Sequence, residues 1–189
     1  MRTAAAYDVL DFWFGAPGSV QYGRPRAEWF RKSDTFDALI RSRFLRVYEQ
    51  AAAGNMASWR DSPLTQLALI IVLDQFPRNM FRDSRAAFAT DAMALEVAGR
   101  MTALHWDTRL LGVERQFCYL PFEHAEDIEA QRTCVHFFRA MGNADLLEWA
   151  QKHYNIIERF GRFPHRNAGL GRVSTPEEID FLQEPGSRF

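Results

Sequence analysis

The chain has 189 residues, a formal net charge of −1, and a composition that is 47% hydrophobic and 14% aromatic. These values exclude an intrinsically disordered chain and supply enough apolar side chains for a substantial core in one domain. A nearly neutral chain also lacks the positive charge that attracts nucleic acid or acidic membranes, so we expect neither as a partner.

The basic residues are almost all arginine, because only Lys32 and Lys152 among the 23 basic residues are lysines. Arginine binds a carboxylate or phosphate through two parallel hydrogen bonds, which lysine cannot form. This bias is typical either of anion recognition or of the codon usage of a GC-rich genome, and both interpretations stay open.

The cysteines and the apolar runs predict a soluble cytoplasmic protein. Cys118 and Cys134 lie in apolar helical patterns without a CxxC pair, which is typical of buried free thiols in a reducing compartment. Asp8 and Asp11 interrupt any apolar segment of a signal peptide. The longest apolar run, residues 67–73, is too short to span a bilayer.

Apolar residues at 3- and 4-residue spacing predict a succession of helices along the chain. Capping residues, glycine and proline mark their ends. The predicted helices cover residues 3–14, 34–53, a central helix from 63, 91–104, 112–124, 126–141, 144–160 and a short last helix from 176. No sustained alternation of apolar and polar residues occurs, so no strand is predicted.

Local capping chemistry sharpens these boundaries. Asp34 and Thr90 are predicted to cap the helices that follow them, and Ser62 precedes Pro63 at the first position of the central helix. Residues 175–178, Thr-Pro-Glu-Glu, are typical of a capping box.

The same spacing assigns side chains to the core. Residues 18–26 are predicted to form a loop, followed by an apolar Trp-Phe pair that anchors it. The side chains predicted to face inward include Trp29, Phe30, Leu39, Phe44, Leu67, Ile70, Ile71, Leu104, Phe138 and His153. Short connections favour antiparallel helical hairpins stacked on one another, so we predict an all-α fold of about eight helices in a single domain over residues 1–189.

Six stretches of the sequence resemble the bacterial and fungal DUF924 family. They are VLDFWFG, WFRKSDTFDALIRSRF, LALIIVLDQFPRNMFR, AFATDAMAL, YLPFEHAED and IIERFGRFPHRNAGLGRVSTPEE, and together they span almost the whole chain. The resemblance implies a TPR-like, all-helical fold and no assigned reaction. Two positions depart from the family pattern, Ala125 where serine is expected and Asn155 where aspartate is expected.

Residues 64–82, LTQLALIIVLDQFPRNMFR, join a helix that is apolar on all faces, typical of the inside of a bundle, to an abruptly polar end. Pro77 lacks an amide hydrogen and its ring clashes with the carbonyl four residues earlier, so we expect the helix to kink or end there. The segment brings Asp74, Arg78 and Asn79 together as candidate ligand-binding residues. Asp74 and Arg78 fit either a buried ion pair or an anion site in which Asp74 orients Arg78.

A second Phe-Pro segment, within residues 161–172, carries a similar set of polar side chains. Guanidinium and imidazole groups next to flexible glycines suit a phosphate or a carboxylate. The alternative is a solvated basic loop, although Phe163 and Pro164 favour a loop that is fixed to the core. The candidate ligand-binding residues here are Arg162, Arg166 and Asn167, with His165 as a candidate catalytic residue and Arg172 nearby.

Glu123, His124 and Asp127 gather two carboxylates and an imidazole at a junction between helices. Such a set can act in acid–base catalysis or bind a divalent metal. Capping of the next helix is sufficient to explain Asp127. Because no HExxH motif or second ligand pair occurs, we predict no metal site. Glu123 and His124 remain candidate catalytic residues.

Two functions are consistent with these segments. One is a protein that binds a small anionic metabolite or acts on it as a hydrolase or transferase, with His124 or His165 as acid or base and Arg78 and Arg166 as clamps. The other is a non-enzymatic, TPR-like module that binds a peptide or protein. No known catalytic motif occurs, so neither a reaction nor a cofactor can be named.

We also expect the two Phe-Pro segments to share one pocket. Both end helices in polar clusters, which are costly to bury unless they satisfy one another. On this hypothesis Glu123 and His124 lie beside residues 74–79, and an anion binds between the FPRN helix end and the FPHRN loop.

Overall fold

The computed structural model describes residues 4–187, and across that range every regular element is helical. A π-helix, Ile71–Gln75, joins α3 to α4. The α-helices are α1 Ala4–Phe14, α2 Asp34–Ala52, α3 Pro63–Ile70, α4 Phe76–Met80, α5 Asp91–Ala103, α6 Gly112–Glu123, α7 Ile128–Met141, α8 Ala144–Phe160, α9 Asn167–Leu170 and α10 Pro176–Phe181. The all-α prediction is confirmed. With α3, the π-helix and α4 taken as one rod, the described residues form nine helices where about eight were predicted.

The chain divides into two compact units. Unit 1 contains the described residues up to Arg82 together with Ala86–Pro121, and unit 2 contains Asp83–Arg85 together with the described residues from Phe122 onward. The single-domain prediction for residues 1–189 and the TPR-like arrangement stay predictions. None of the helices in the described range is long and apolar enough to cross a bilayer.

The core of unit 1 surrounds the central helix. Leu67, Ile70 and Ile71 have no exposed surface, and Phe44 of α2 is buried beside the rod, as predicted. Around the α1 end, the ring of Trp13 lies 5.6–6.1 Å from four other aromatic rings, which adds favourable edge and stacking contacts to the area buried. A helix buried on all sides therefore fixes the position of the polar residues that follow it.

Three of the predicted core side chains of unit 1 are exposed instead. Leu39 is 43% exposed because Phe36 and Ile40 already fill the inner face of α2, and one residue turns a helix by about 100°. Leu104 is 44% exposed at the C-terminal end of α5, beyond the buried positions of that helix. Phe30 is 66% exposed, since only one face of its ring stacks on Phe117.

One predicted cap of unit 1 was wrong, and a second residue stands at the predicted N-cap position without capping through its side chain. Ser33, and not Asp34, caps α2, accepting a hydrogen bond at Oγ from Phe36 N at 3.3 Å. Thr90 precedes α5 but forms no side-chain cap there, because its hydroxyl donates to Leu73 O at 2.6 Å. For both helices, the hydrogen-bond partners within reach of a side chain determined whether that side chain capped the helix.

Pro77 does not end the helix, because helical backbone continues through it to Met80. Phe76 N donates to Ile71 O, a five-residue step that widens the backbone into a π-turn just before the proline. Pro77 then occupies the first turn of α4, where its missing N–H leaves Leu73 O without the usual helical partner. The Thr90 hydroxyl supplies that hydrogen bond, so helical backbone continues to Met80.

Unit 2 is built on the α7–α8 hairpin. Asp127 caps α7 by accepting from Ala130 N at 2.8 Å, and Gly142 adopts a left-handed conformation that lets the chain reverse. Phe138 of α7 is fully buried, as predicted. The capping box before α10 is also confirmed.

The 161–172 loop is folded against this hairpin. Phe163 is fully buried with Ile156, Ile157 and Phe181, and Pro164 is buried next to it. The loop contains the short helix α9, which is the element that the sequence did not predict. The prediction of a loop fixed to the core by Phe163 and Pro164 is confirmed.

Candidate functional site

In unit 1, Asp74 lies in the π-helix with no exposed surface. Its carboxylate accepts from Gln75 Nε2 at 2.6 Å and pairs with Arg78 Nη1 at 3.2 Å, the predicted four-residue ion pair. The guanidinium of Arg78 also forms two hydrogen bonds with Asp91, at 2.8 and 2.9 Å, and donates to Asp74 O at 2.7 Å. Both carboxylates raise the pKa of Arg78 against the opposing effect of its burial.

The neighbouring polar residues of this segment are held in the same way. Asn79 Nδ2 donates to Asp37 Oδ1 at 2.8 Å, and Arg82 forms two hydrogen bonds with the same carboxylate. Burial raises the pKa of Asp37, but the hydrogen bonds from Arg82 and Asn79 outweigh it and lower the pKa. The FPRN segment therefore ties α2, the central rod and α5 together through charge-assisted hydrogen bonds.

In unit 2, two arginines of the loop serve the fold. Arg162 forms two hydrogen bonds with Glu178, at 2.6 and 2.8 Å, and lowers the pKa of Glu178 to about 2. Asn167 Nδ2 donates to the same carboxylate at 3.2 Å. Arg172 forms two hydrogen bonds with Glu126, which also accepts from Phe163 N at 2.8 Å. These contacts hold the loop in one conformation.

A different set of side chains gathers at the inner side of this loop. We call it the His/Arg cluster, and it consists of Glu123 at the end of α6, His124, His153 of α8, His165 and Arg166. Glu123, His153 and Arg166 are each about 6% exposed, whereas His124 and His165 are partly exposed. The cluster thus has a buried floor and an accessible side.

The ring of Phe163 organises the cluster. The guanidinium of Arg166 lies over this ring at 4.5 Å from its centroid, a cation–π contact. The rings of His153 and His165 each lie 5.6 Å from it, centroid to centroid. The buried ring of Phe163 therefore sets the distances between the side chains of Arg166, His153 and His165.

His153 is oriented by α8 itself. Its Nδ1 lies 2.9 Å from Trp149 O and 3.6 Å from Glu123 Oε1. Because a carbonyl only accepts hydrogen bonds, the network assigns the proton to Nδ1 and leaves Nε2 as an acceptor.

Burial and charge keep this imidazole neutral. Burial is the largest cause that lowers the pKa of His153 to about 3, and the hydrogen bond to Trp149 O opposes it. The positive charges of His124, Arg166 and His165 lower it further. Burial, aided by these charges, therefore keeps the His153 imidazole neutral.

The floor of the cluster is closed by α7. Cys134 Sγ lies 4.0 Å from Glu123 Oε2, and burial raises the pKa of this thiol well above its usual value. Gln131, fully buried one turn earlier, donates from Nε2 to Glu123 O at 2.6 Å and to Ala125 O at 2.8 Å. The amide of Gln131 thus satisfies carbonyl groups at the end of α6 and fixes the backbone of Glu123.

Comparison with known proteins identifies the family. The model described as "Bacterial protein of unknown function (DUF924)" matches residues 9–186. The chain belongs to the DUF924 family. It is also similar to a solved structure entitled "Structure of Protein of Unknown Function ATU0120 from Agrobacterium tumefaciens", with 38% identity, 95% of this chain and 97% of that chain covered, and a TM-score of 0.87. Among curated proteins none matches the chain.

In this DUF924 protein, four predicted site residues come together in one unit. Glu123 and His124, and His165 and Arg166, all belong to the His/Arg cluster. Arg162 and Asn167 lie in the same loop but are engaged with Glu178. The catalytic and ligand-binding roles of all these residues stay predictions.

The other predicted residues belong to unit 1. Asp74, Arg78 and Asn79 form the hydrogen bonds described above within that unit. Their proximity to His124, and an anion shared by the two Phe-Pro segments, stay predictions. Asp74 and Arg78 were interpreted either as a buried ion pair or as an anion site, and these contacts are those of a buried ion pair.

No group of three or more histidine, cysteine or acidic side chains within residues 4–187 is arranged to hold a metal ion. Asp127, the third member of the predicted Glu-His-Asp set, caps α7. The two residues that differ from the family pattern are Ala125 and Asn155. Ala125 accepts a hydrogen bond from Gln131 at its backbone carbonyl, and Asn155 accepts one from Gln151 on the exposed surface.

The most informative member of the cluster, His153, was not among the predicted site residues. His153 was interpreted as a core histidine, and it is indeed buried and hydrogen-bonded. Its contact with Glu123 and Phe163 depends on how α8 packs against the end of α6 and against the loop. The one available signal was an ionisable residue on an otherwise apolar helix face, and that signal also fits a structural histidine.

Proposed function

We propose that this DUF924 protein binds a small anion at the His/Arg cluster of unit 2. The site brings one buried guanidinium and two imidazoles, those of His153 and His165, around the buried ring of Phe163, and His124 lies close enough to interact with His153. Guanidinium and imidazolium groups in a partly dry site form the strong, charge-assisted hydrogen bonds that phosphates and carboxylates accept.

The observation that carries the proposal is the position of Arg166. This guanidinium is buried against Phe163, and its charge, with those of His124 and His165, opposes protonation of His153. Because this site is largely shielded from water, the attraction between the guanidinium and a negative ligand is stronger than at an exposed surface. The partly exposed His124 and His165 provide the side from which a ligand enters.

The same geometry limits the chemistry. With a pKa of about 3, His153 is a weak base and stays neutral, so we give it a positioning role and no role in proton transfer. Acid–base catalysis by His124 or His165, and the alternative of a peptide-binding module, stay predictions from the sequence.

Thermal unfolding in the presence of phosphorylated and carboxylated compounds tests the proposal. A ligand that binds the folded state raises the midpoint, and we expect this for the wild type with at least one anion class. Arg166→Gln keeps much of the volume but removes the charge, so it should weaken binding roughly ten- to a hundredfold, since a charge-assisted bond contributes about 1.5–3 kcal/mol.

Two control variants separate binding from folding. Arg139→Gln removes an exposed arginine of α7 in the same unit and should leave the anion response unchanged. Arg162→Gln removes a loop arginine that is engaged with Glu178, so it should lower the midpoint without abolishing the response. If no anion stabilises the wild type, or if Arg166→Gln responds as the wild type does, the proposal is wrong.

A further inference from the structure

The connection between α1 and α2 combines positive charge with exposed apolar side chains. Residues 20–32, which we call the basic surface, contain four basic residues and one acidic residue, a net charge of +3 in a chain whose net charge is −1. Val20 is 79% exposed, Phe30 is 66% exposed and Tyr22 is 39% exposed. Exposed aromatic side chains next to arginines are typical of protein–protein contacts.

The basic surface is anchored to the end of α1. Arg26 donates from Nη1 to Phe12 O at 2.7 Å and to Trp13 O at 3.1 Å. Trp29 donates from Nε1 to the same Trp13 O at 3.0 Å. These bonds satisfy carbonyl groups that lack a partner within the helix. Because the segment is already ordered, a partner that docks on it loses little affinity to the ordering of this segment.

A cleft of about 270 Å³ opens within the basic surface. Its lining includes the apolar residues Val20, Pro25 and Ala27 and the charged residues Arg24 and Glu28. Sites for whole small molecules measure about 300–1,000 Å³. The cleft lies just below that range, which suits a small group such as one apolar side chain better than a complete cofactor.

Two arginines of this surface are available to a partner. Arg24 and Arg31 are exposed, and within residues 4–187 no hydrogen bond, ion pair or ring contact engages the guanidinium of either one. The other charges are already compensated, because Glu28 lies 3.8 Å from Arg26 and the charge of Lys32 acts on a neighbouring carboxylate. Each available guanidinium can form two parallel hydrogen bonds with a carboxylate.

The acidic groups that reach this surface act on Tyr22. Burial, and then the charges of Glu114 and Asp11, raise the pKa of Tyr22. Glu114 is itself buried and accepts from Leu111 N at 3.0 Å. The positive charge is therefore concentrated in residues 24–32, which is where the carboxylates of a partner fit.

We propose that the basic surface docks an acidic peptide segment of another protein, with one apolar side chain of that segment in the cleft and its carboxylates on Arg24 and Arg31. This surface belongs to unit 1, and the proposal does not depend on the anion site of unit 2. An acidic bilayer would also attract the arginines, but it offers no single side chain for the cleft. The cleft and the arginines together favour a peptide.

Fluorescence anisotropy with a labelled peptide, Asp-Glu-Asp-Phe-Glu-Asp-Glu, tests the proposal. We expect saturable binding to the wild type that weakens as the salt concentration rises, since salt screens exposed charges. Arg24→Glu and Arg31→Glu should each weaken binding at least about tenfold. Arg139→Glu makes the same charge change at an exposed position of α7 and should leave the peptide affinity unchanged. Because all three arginines are exposed, the variants should keep the thermal midpoint of the wild type.

A second peptide, with serine in place of phenylalanine, tests the cleft and should bind at least about tenfold more weakly, because it has no apolar side chain to bury. Equal affinity for the two peptides overturns the role assigned to the cleft. The proposal as a whole is overturned if the phenylalanine peptide shows no saturable binding, or if Arg24→Glu and Arg31→Glu bind it as the wild type does. Binding to phosphatidylserine vesicles without binding to the peptide would assign the surface to a membrane and would also overturn it.

Discussion

His153 illustrates how the environment of a single residue decides its chemistry. The residue type and its helical position were visible in the sequence, and burial was predicted correctly. The sequence did not reveal the charges around it, because they come from residues 12 to 29 positions away along the chain. Contacts of that kind depend on tertiary packing, which a helical periodicity does not encode.

The depressed pKa of His153 makes the stability of the protein depend on pH. The folded value is about 3 and the reference value is 6.5, so below pH 6.5 the unfolded chain binds a proton that the folded chain excludes. This residue therefore leaves the free energy of unfolding at its full value above pH 6.5. As the pH falls from 6.5 towards 3, the free energy of unfolding decreases by about 1.4 kcal/mol per pH unit.

His153→Gln removes this titration, and its amide can still donate to Trp149 O. Between pH 6.5 and about pH 5, we expect the free energy of unfolding of the wild type to fall by about 2 kcal/mol more than that of the variant. Urea unfolding at both pH values measures the difference. The exposed His136→Gln should behave as the wild type, and equal pH dependence in His153→Gln would show that the imidazole titrates normally.

At the scale of elements, the capping residues in the sequence predicted where helices begin and end, but they did not predict hydrogen bonds between helices. Ser62 with Pro63, and the Thr175 capping box, act through neighbouring residues, and both were predicted correctly. Thr90 was assigned to the helix beside it, yet its hydroxyl serves a carbonyl 17 residues earlier. Pro77 has no N–H to donate to Leu73 O, and the Thr90 hydroxyl can donate to this carbonyl only once α5 packs on the π-helix.

This arrangement predicts an energetic coupling between Thr90 and Pro77. Thr90→Val leaves a buried carbonyl without its donor and should cost about 1–3 kcal/mol of unfolding free energy. The amide hydrogen that Pro77→Ala introduces can reach Leu73 O, so in that background the cost of Thr90→Val should fall by about 1 kcal/mol or more.

A double-mutant cycle followed by urea unfolding measures this coupling. Thr108→Val serves as the control, because its exposed hydroxyl bonds to His105 O away from the proline. Strictly additive effects of Thr90→Val and Pro77→Ala would contradict the role assigned to the Thr90 hydroxyl.

For the whole molecule, composition and periodicity predicted the all-α class, and the DUF924 resemblance is confirmed over residues 9–186. The two Phe-Pro segments looked equivalent in the sequence, since each combines arginine and asparagine after a proline. The surroundings of the two segments differ: Arg78 binds two carboxylates of its own unit, whereas Arg166 lies over Phe163 and interacts with His153. Equivalent motifs acquire different chemistry from the charges that surround them.

The central claim, an anion site at the His/Arg cluster, is tested most directly by NMR of the imidazole groups. The chain has five histidines, of which His124, His153 and His165 belong to the cluster and His105 and His136 lie outside it. During a sulfate titration we expect the three cluster imidazoles to shift with one common dissociation constant while the other two stay unchanged. No saturable shift of the cluster imidazoles, or equal shifts of all five, would contradict the account.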